Sequence, residues 1–222
     1  MALGFQNLDG KAFLGLITYD ARAGRMFKRD RVQGASGWET KQDDLTNAPP
    51  TFAVDFLSIE VGWAAFTATG PSFVMVPLGQ PMPAKPTPDH KNGFKLKVYG
   101  PQQLGGVREF SSSSKAVMGA IDDLHNTYNA APEAAQGKIP VVQMTGTKPI
   151  VAKGPQGTTT NYAPVFTILQ WIDRPAELGA ATVALPSGGG APAAAPAPAP
   201  APAAAAAPPP APAMAGANGL PF

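Results

Sequence analysis

From residue 13 onward, the apolar residues come in short runs separated by Gly, Pro, Asn and Asp. This pattern is typical of strands joined by turns rather than of long helices. Glycine-containing turn sequences lie between several runs, at positions 23–24, 92–93, 105–106 and 154–157. The pattern predicts strands at 13–19, 26–32, 52–59, 63–67, 72–76, 94–99, 107–110, 140–145, 149–153 and 165–171.

Residues 111–131 follow a helical pattern instead. Their apolar residues recur every three or four positions, which places them on one stripe of an amphipathic helix. Four serines precede the stripe and can cap the first N–H groups, and a proline directly after the segment ends it. The stripe consists of Val117, Ile121, Leu124 and Tyr128.

Residues 77–90 carry five prolines. Because proline fixes φ and removes a hydrogen-bond donor, we expect an extended, exposed loop between two strands. Two interpretations remain open for this loop, a plain connector and a clamp over a ligand.

Many short strands and one inserted helix favour a small barrel or a curled sheet. An OB-fold-like antiparallel barrel with extra hairpins fits this inventory, and such barrels commonly bind oligonucleotides. A two-sheet sandwich is the alternative, because a strand count does not separate the two. We assign residues 1–186 to this mainly β domain.

The last 36 residues, 187–222, contain 16 alanines, 10 prolines and 5 glycines but no charged residue. Ala and Pro bury too little apolar surface to offset the entropy of ordering, so this segment is predicted to be a disordered linker. It ends in Leu220, Pro221 and Phe222. A partner-binding tip and an inert solubilising tail are both compatible with this composition.

Residues that carry chemistry are sparse. The absence of cysteine excludes a disulfide scaffold, a thiolate metal site and a cysteine nucleophile. There are two histidines, His90 and His125, and no phosphate-binding loop, dinucleotide fingerprint or nucleophile elbow. We therefore expect a non-enzymatic protein with no cofactor and no metal. No signal peptide or apolar run of about 18 residues is present, which predicts a cytoplasmic protein without a membrane span.

Positive charge is densest in residues 19–32, where five Lys and Arg residues face two Asp residues. Alternation along a strand places Arg25, Phe27, Arg29 and Arg31 on one face. Guanidinium groups neutralise phosphates and aromatic rings stack on unpaired bases, so this face suits a nucleic acid single strand. The alternative is a solvated, protected strand edge with Phe27 in the core. The predicted contacts here are Arg22, Arg25, Phe27, Lys28, Arg29 and Arg31.

Further cations and rings extend this prediction. Lys95, Lys97 and Tyr99 share one face of a predicted strand, and we expect them to join the nucleic-acid surface. Trp38 lies in a polar segment, GASGWETKQDD, which we interpret as a loop. Its ring either stacks on a base or folds back onto the barrel. Trp63 and Trp171 lie in apolar strands, where a core position is expected.

The order of these parts resembles bacterial and phage single-stranded DNA-binding proteins. Those proteins have an OB-fold domain, a low-complexity linker and a tip that ends in an apolar residue, Pro and Phe. The resemblance implies that Leu220, Pro221 and Phe222 dock into replication or recombination proteins. In that family several Asp residues precede the tip, whereas residues 214–219 contain none.

The folded part is also similar to uncharacterised proteins of alphaproteobacterial phages and prophages, in the segments KAFLGLITYDARAGRMFKRDR and NYAPVFTILQWIDRPAEL. This similarity suggests a phage protein that acts in the cytoplasm of a bacterial host, with single-stranded DNA as its partner and homo-oligomerisation as an option. The leading hypothesis is a protein that protects single-stranded DNA during replication or recombination. The alternatives are a virion structural or decoration protein with a projecting tail, and an adaptor that acts only through Phe222.

Overall fold

The computed structural model describes residues 14–67, 70–154 and 157–183. These residues are mainly β, which confirms the predicted class. The predicted boundary near residue 186 and the tail with Leu220, Pro221 and Phe222 lie outside the described residues. Among the described elements there is no helix long and apolar enough to cross a membrane. The elements are β1 (Gly15–Asp20), β2 (Arg25–Gly34), β3 (Gly37–Asp44), β4 (Thr51–Thr67), β5 (Gly70–Pro77), β6 (Lys91–Gly100), β7 (Gly106–Ser112), α1 (Lys115–Ala130), α2 (Pro132–Ala135), β8 (Lys138–Gly154), β9 (Gly157–Asp173) and a 3-10 turn (Ala176–Leu178).

The described strands form one open mixed sheet in the order β3-β2-β1-β7-β6-β4-β8-β9, and β5 pairs with β4. The pairing of β1 with β7 is parallel and the other pairs are antiparallel. This order does not confirm the predicted OB-fold-like barrel. The sheet nevertheless curls, because the Tyr162 N–H donates a hydrogen bond of 2.6 Å to the Ala21 carbonyl in the turn between β1 and β2. Gly24 in this turn has a φ of 68°, a conformation that favours glycine.

Four details of the predicted strand pattern are wrong. Strands β4 and β8 are each continuous where two strands were predicted, and the pairing of each contains a register shift. Asn92 and Gly93 lie inside β6 and not in a turn. Trp38 lies in β3 and not in a loop. Almost every residue of β3 is exposed, so the strand lacks the apolar alternation that would have revealed it.

The predicted helix is confirmed as α1, and its predicted stripe is buried. It covers one face of the sheet, which we call the inner face. Tyr128 stacks on Trp171 with ring centroids 6.0 Å apart and lies 5.1 Å from the ring of Phe56. Each fully buried side chain of this size contributes about 1.5 to 3 kcal/mol, so the helix is held mainly by its stripe. Trp171 is half-buried and packs against this core.

Residues 174–183, which we call the C-terminal strap, cover part of the opposite, outer face of the sheet. Leu178 is fully buried in a small apolar cluster with Ile139 and Val141. The N–H groups of Thr182 and Val183 both donate to the Leu57 carbonyl, at 2.7 and 2.9 Å. The strap therefore continues the fold past the last strand.

Tyr19 gives the fold an alkaline sensitivity. Burial, together with the charge of Asp20, raises the pKa of Tyr19 to about 12 from its ordinary value of 10.0, and its hydroxyl has no hydrogen-bond partner. The unfolded chain loses this proton near pH 10 and the folded chain does not, so stability falls as pH rises from 10 toward 12. We expect the free energy of unfolding of Tyr19→Phe, measured in urea, not to show this decrease between pH 10 and 12, which amounts to about 1.4 kcal/mol per pH unit in the wild type. If the free energy of unfolding fell equally with pH in wild type and in Tyr19→Phe, this explanation would be contradicted.

Candidate nucleic-acid interface

Strands β1, β2 and β3 form an antiparallel ribbon at one edge of the sheet. Met26 of β2 is fully buried on the inner face. Its neighbours Arg25 and Phe27, and every second residue after Phe27, therefore point to the outer face. Residues that are paired between β2 and β3 point to the same face, so each residue of β3 lies on the face of its partner in β2. The outer face of the ribbon consists of Arg25, Phe27, Arg29, Arg31, Gln33, Trp38, Thr40, Gln42 and Asp44.

At the root of the ribbon, the outer-face charge is largely compensated. Arg25 forms an ion pair with Asp44 and its guanidinium lies 5.6 Å from the centre of the Phe27 ring. Phe27 is half-buried. Hydrogen bonds from Thr46, and then the charge of Arg25, lower the pKa of Asp44, so this carboxylate stays charged and competes with any phosphate for Arg25.

Toward the free end of the ribbon, the outer face carries Arg29 and Arg31. The Arg29 Nε donates to Gln42 Oε1 at 2.7 Å, a neutral partner that leaves the positive charge in place. The Arg31 guanidinium lies 5.6 Å from the centre of the Trp38 ring. Trp38 is 63% exposed, far more than a ring that packs into a core. We call Arg29, Arg31, Trp38, Thr40 and Gln42 the tip patch.

The inner face of the same ribbon is electrically balanced. Lys28 Nζ lies 3.2 Å from an Asp43 carboxylate oxygen, and Lys41 Nζ lies 3.6 Å from the other. The hydrogen bond from Lys28 is the main cause that lowers the pKa of Asp43. Lys28, one of the predicted contacts, therefore lies on the opposite face from the arginines and is already paired.

Arg108 of β7 also contacts the inner face of the ribbon, a contact that sequence reasoning missed. Its Nη1 lies 2.5 Å from Asp30 Oδ1, and its Nε donates to the Leu104 carbonyl. The Arg108 side chain crosses Gly15, where an added Cβ would come within 2.1 Å of Nη1. Asp30 is thus paired on the inner face, opposite the tip patch, with Arg108, which is distant from it in the sequence.

The predicted group Lys95, Lys97 and Tyr99 lies on one face of β6, opposite the buried side chains of that strand. Register through β1 and β7 places this face on the same side of the sheet as the outer face of β2. Three strand spacings separate β6 from β2, about 14 Å.

Each of these three side chains already has a partner in the chain. Lys95 Nζ lies 2.9 Å from a Glu60 carboxylate oxygen. Lys97 Nζ donates to the Leu178 carbonyl at 2.7 Å, and the Tyr99 hydroxyl donates to Glu177 at 3.2 Å. These contacts join β6 to β4 and to the C-terminal strap.

Arg22 lies in the turn between β1 and β2, where its side chain is exposed and its N–H donates to an Asp20 carboxylate oxygen at 2.8 Å. It is near the root of the ribbon and away from the tip patch. Within the described ranges, no group of three His, Asp or Glu side chains is arranged to hold a metal ion.

Comparisons with models of known protein families, with curated proteins and with solved structures found no match.

Proposed function

We propose that this protein binds single-stranded DNA without catalysis and with little sequence preference, and that the tip patch is its main contact surface. The resemblance of the chain to phage and bacterial single-stranded DNA-binding proteins supports a role in phage replication or recombination. The supporting observation is that Arg29, with a neutral partner, and the exposed ring of Trp38 share the outer face of the ribbon, while Asp30 and Asp43 are paired on its inner face.

This arrangement matters because the ribbon as a whole is nearly neutral. Residues 19–44 contain six Lys and Arg residues and five Asp and Glu residues. The acids lie mainly on the inner face and at the root, where Lys28, Lys41 and Arg108 compensate Asp43 and Asp30. On the tip patch, Arg29 has the neutral partner Gln42, and its positive charge can attract a phosphate backbone.

Trp38 supplies the second kind of contact. A ring that is 63% exposed beside a guanidinium can accept the face of an unpaired base. Stacking of this kind favours a single strand over a duplex, because the bases of a duplex already stack on one another. It also reads little sequence, because every base has a π face.

The OB-fold-like barrel stays our proposal for the architecture. The hydrogen bond between Tyr162 and Ala21 supports it. Tyr162 belongs to β9, the last strand in the sheet order, and Ala21 follows β1, which is near the other end of that order, so the bond brings the two ends of the sheet together.

Lys95, Lys97 and Tyr99 are not part of the core of this proposal. A phosphate that approached them would have to replace contacts with Glu60, Leu178 or Glu177. We expect these residues to add little to affinity.

The arginine pair of the tip patch gives the first test. For wild-type protein, we expect affinity for a fluorescein-labelled oligo-dT to fall steeply with salt concentration in fluorescence anisotropy. Replacing both Arg29 and Arg31 by alanine should lower the slope of log affinity against log salt by about 1.4, because each phosphate contact on a single strand contributes about 0.7.

Lys41→Ala is the matched control. Lys41 is 62% exposed on the same ribbon, but it lies on the inner face beside Asp43. This variant should retain nearly the whole salt slope. Equal slopes for the double arginine variant and the lysine variant would refute an interface on the outer face.

A further inference from the structure

A cavity of about 510 Å³ lies on the inner side of the sheet, away from the tip patch. Its walls come from β4, β6, α1 and the proline-rich segment between β5 and β6. Small-molecule sites commonly have volumes of about 300 to 1,000 Å³ and mostly apolar walls with a few polar groups. The cavity matches both features.

The proline-rich loop is held in place over this cavity. On one side of Met82, the Leu78 N–H donates to the Ile59 carbonyl at 3.1 Å. On the other side, Trp63 Nε1 donates to the Pro83 carbonyl at 2.8 Å, and Lys85 lies over the half-buried Trp63 ring. Met82 lines the cavity and is 45% exposed. The wall is therefore preformed, and its flexible thioether side chain can adapt to a ligand.

The polar groups of the cavity favour positive charge in a ligand. Asp122 and Asn92 line it with oxygen acceptors, and none of its described lining residues is Lys or Arg. Burial lowers the pKa of His125, which also lines the cavity, so its ring is neutral at pH 7 and adds no positive charge. Phe94 adds an aromatic ring.

Gly119 of α1 is exposed and lines this cavity. A Cβ at this position would meet no atom within 4 Å, so packing does not require glycine. Glycine within a helix costs about 1 kcal/mol relative to alanine. A side chain can therefore be added beside the cavity at this position without a clash.

We infer that this cavity is a binding site for a small organic cation with an apolar, ring-containing body. The body would contact Met82, Met118 and Phe94, and the cationic group would lie beside Asp122. The proline-rich loop would act as the outer wall of the site. This site is independent of the proposed DNA-binding surface.

The test uses two ligands of one shape, 1-naphthylmethylamine, which is a cation at pH 7, and its neutral analogue 1-naphthalenemethanol. Titrations are followed in ¹⁵N–¹H spectra through the amide signals of Gly62, Gly93 and Gly119, which line the cavity. We expect saturable shifts of these signals with both ligands. The amine should bind about two- to fivefold more tightly, the range of an exposed ion pair.

Two substitutions locate the ligand. Gly119→Leu should place a bulky side chain at the cavity wall and weaken both ligands at least tenfold, while Gly119→Ala, which also improves helix propensity, should bind nearly as wild type does. Asp122→Asn should remove the preference for the amine and leave the affinity for the alcohol unchanged. Thermal unfolding should show both Gly119 variants to be at least as stable as wild type.

The inference is overturned if neither ligand shifts these signals up to millimolar concentration. It is also overturned if Gly119→Leu binds as wild type does, or if the amine shows no preference that depends on Asp122.

Discussion

Replacing Arg174 by alanine is expected to lower the free energy of unfolding by about 3 to 5 kcal/mol, because it leaves a buried charge unpaired. Asp55 is completely buried in β4, and Arg174 at the start of the C-terminal strap binds both of its carboxylate oxygens, at 2.9 and 2.7 Å. These hydrogen bonds raise the pKa of Arg174 further above its usual range. Urea denaturation at pH 7 measures the loss.

The same substitution also frees the strap. Arg174 Nη1 donates to the Gly179 carbonyl at 2.5 Å, so the guanidinium holds the strap in its turn as well as against the sheet. We expect faster amide hydrogen exchange at Thr182 and Val183 in the variant, since their bonds to Leu57 depend on the position of the strap.

Two controls separate the buried charge from the loss of an arginine side chain. Arg25→Ala removes another Arg–Asp pair, but Arg25 is 52% exposed, so only a small fraction of the effect is expected. Adding Asp55→Asn to Arg174→Ala should recover part of the stability, because it removes the unpaired charge. An Arg174→Ala protein as stable as the Arg25→Ala protein would show that the pair does not hold the strap.

The second large effect is expected on DNA affinity. Trp38→Ala should weaken binding of oligo-dT by about 5- to 150-fold, because loss of one stacked base costs about 1 to 3 kcal/mol. The fold should tolerate this change, since the Trp38 side chain is mostly in water. Fluorescence anisotropy at low salt measures the affinity, and thermal unfolding checks that stability is retained.

Val32→Ala is the matched control for this loss. Val32 is the other exposed large apolar side chain of the ribbon, and strand alternation places it on the inner face. Its removal should leave affinity nearly unchanged, and Trp38→Phe, which keeps a ring, should lose less than Trp38→Ala. Equal affinities of Trp38→Ala and wild type would exclude stacking on this ring.

Local patterns in the sequence predict much of this fold. The stripe of α1 follows from spacing, and the two faces of β2 and β6 follow from alternation. Strand β3 could not be predicted from the sequence, because both of its faces are exposed to water and no buried face produces an apolar alternation.

The pairing of charges could not be predicted in the same way. Arg108 meets Asp30 and Arg174 meets Asp55 only because distant strands and the strap come together. The contact of Lys97 could not be predicted for the same reason, since the Leu178 carbonyl that it binds lies in the strap. Charge density alone does not reveal these pairs, and we therefore propose the tip patch as the main contact surface within the larger set of predicted residues.

The most direct test of the central claim is the tryptophan emission of the protein during titration with oligo-dT at low and at high salt. We predict saturable quenching at low salt, weaker binding at high salt, and loss of most of the quenching in Trp38→Phe, where Trp63 and Trp171 still report. An emission spectrum that does not change at low salt, or quenching that persists in Trp38→Phe, would contradict a single strand stacked on the tip patch.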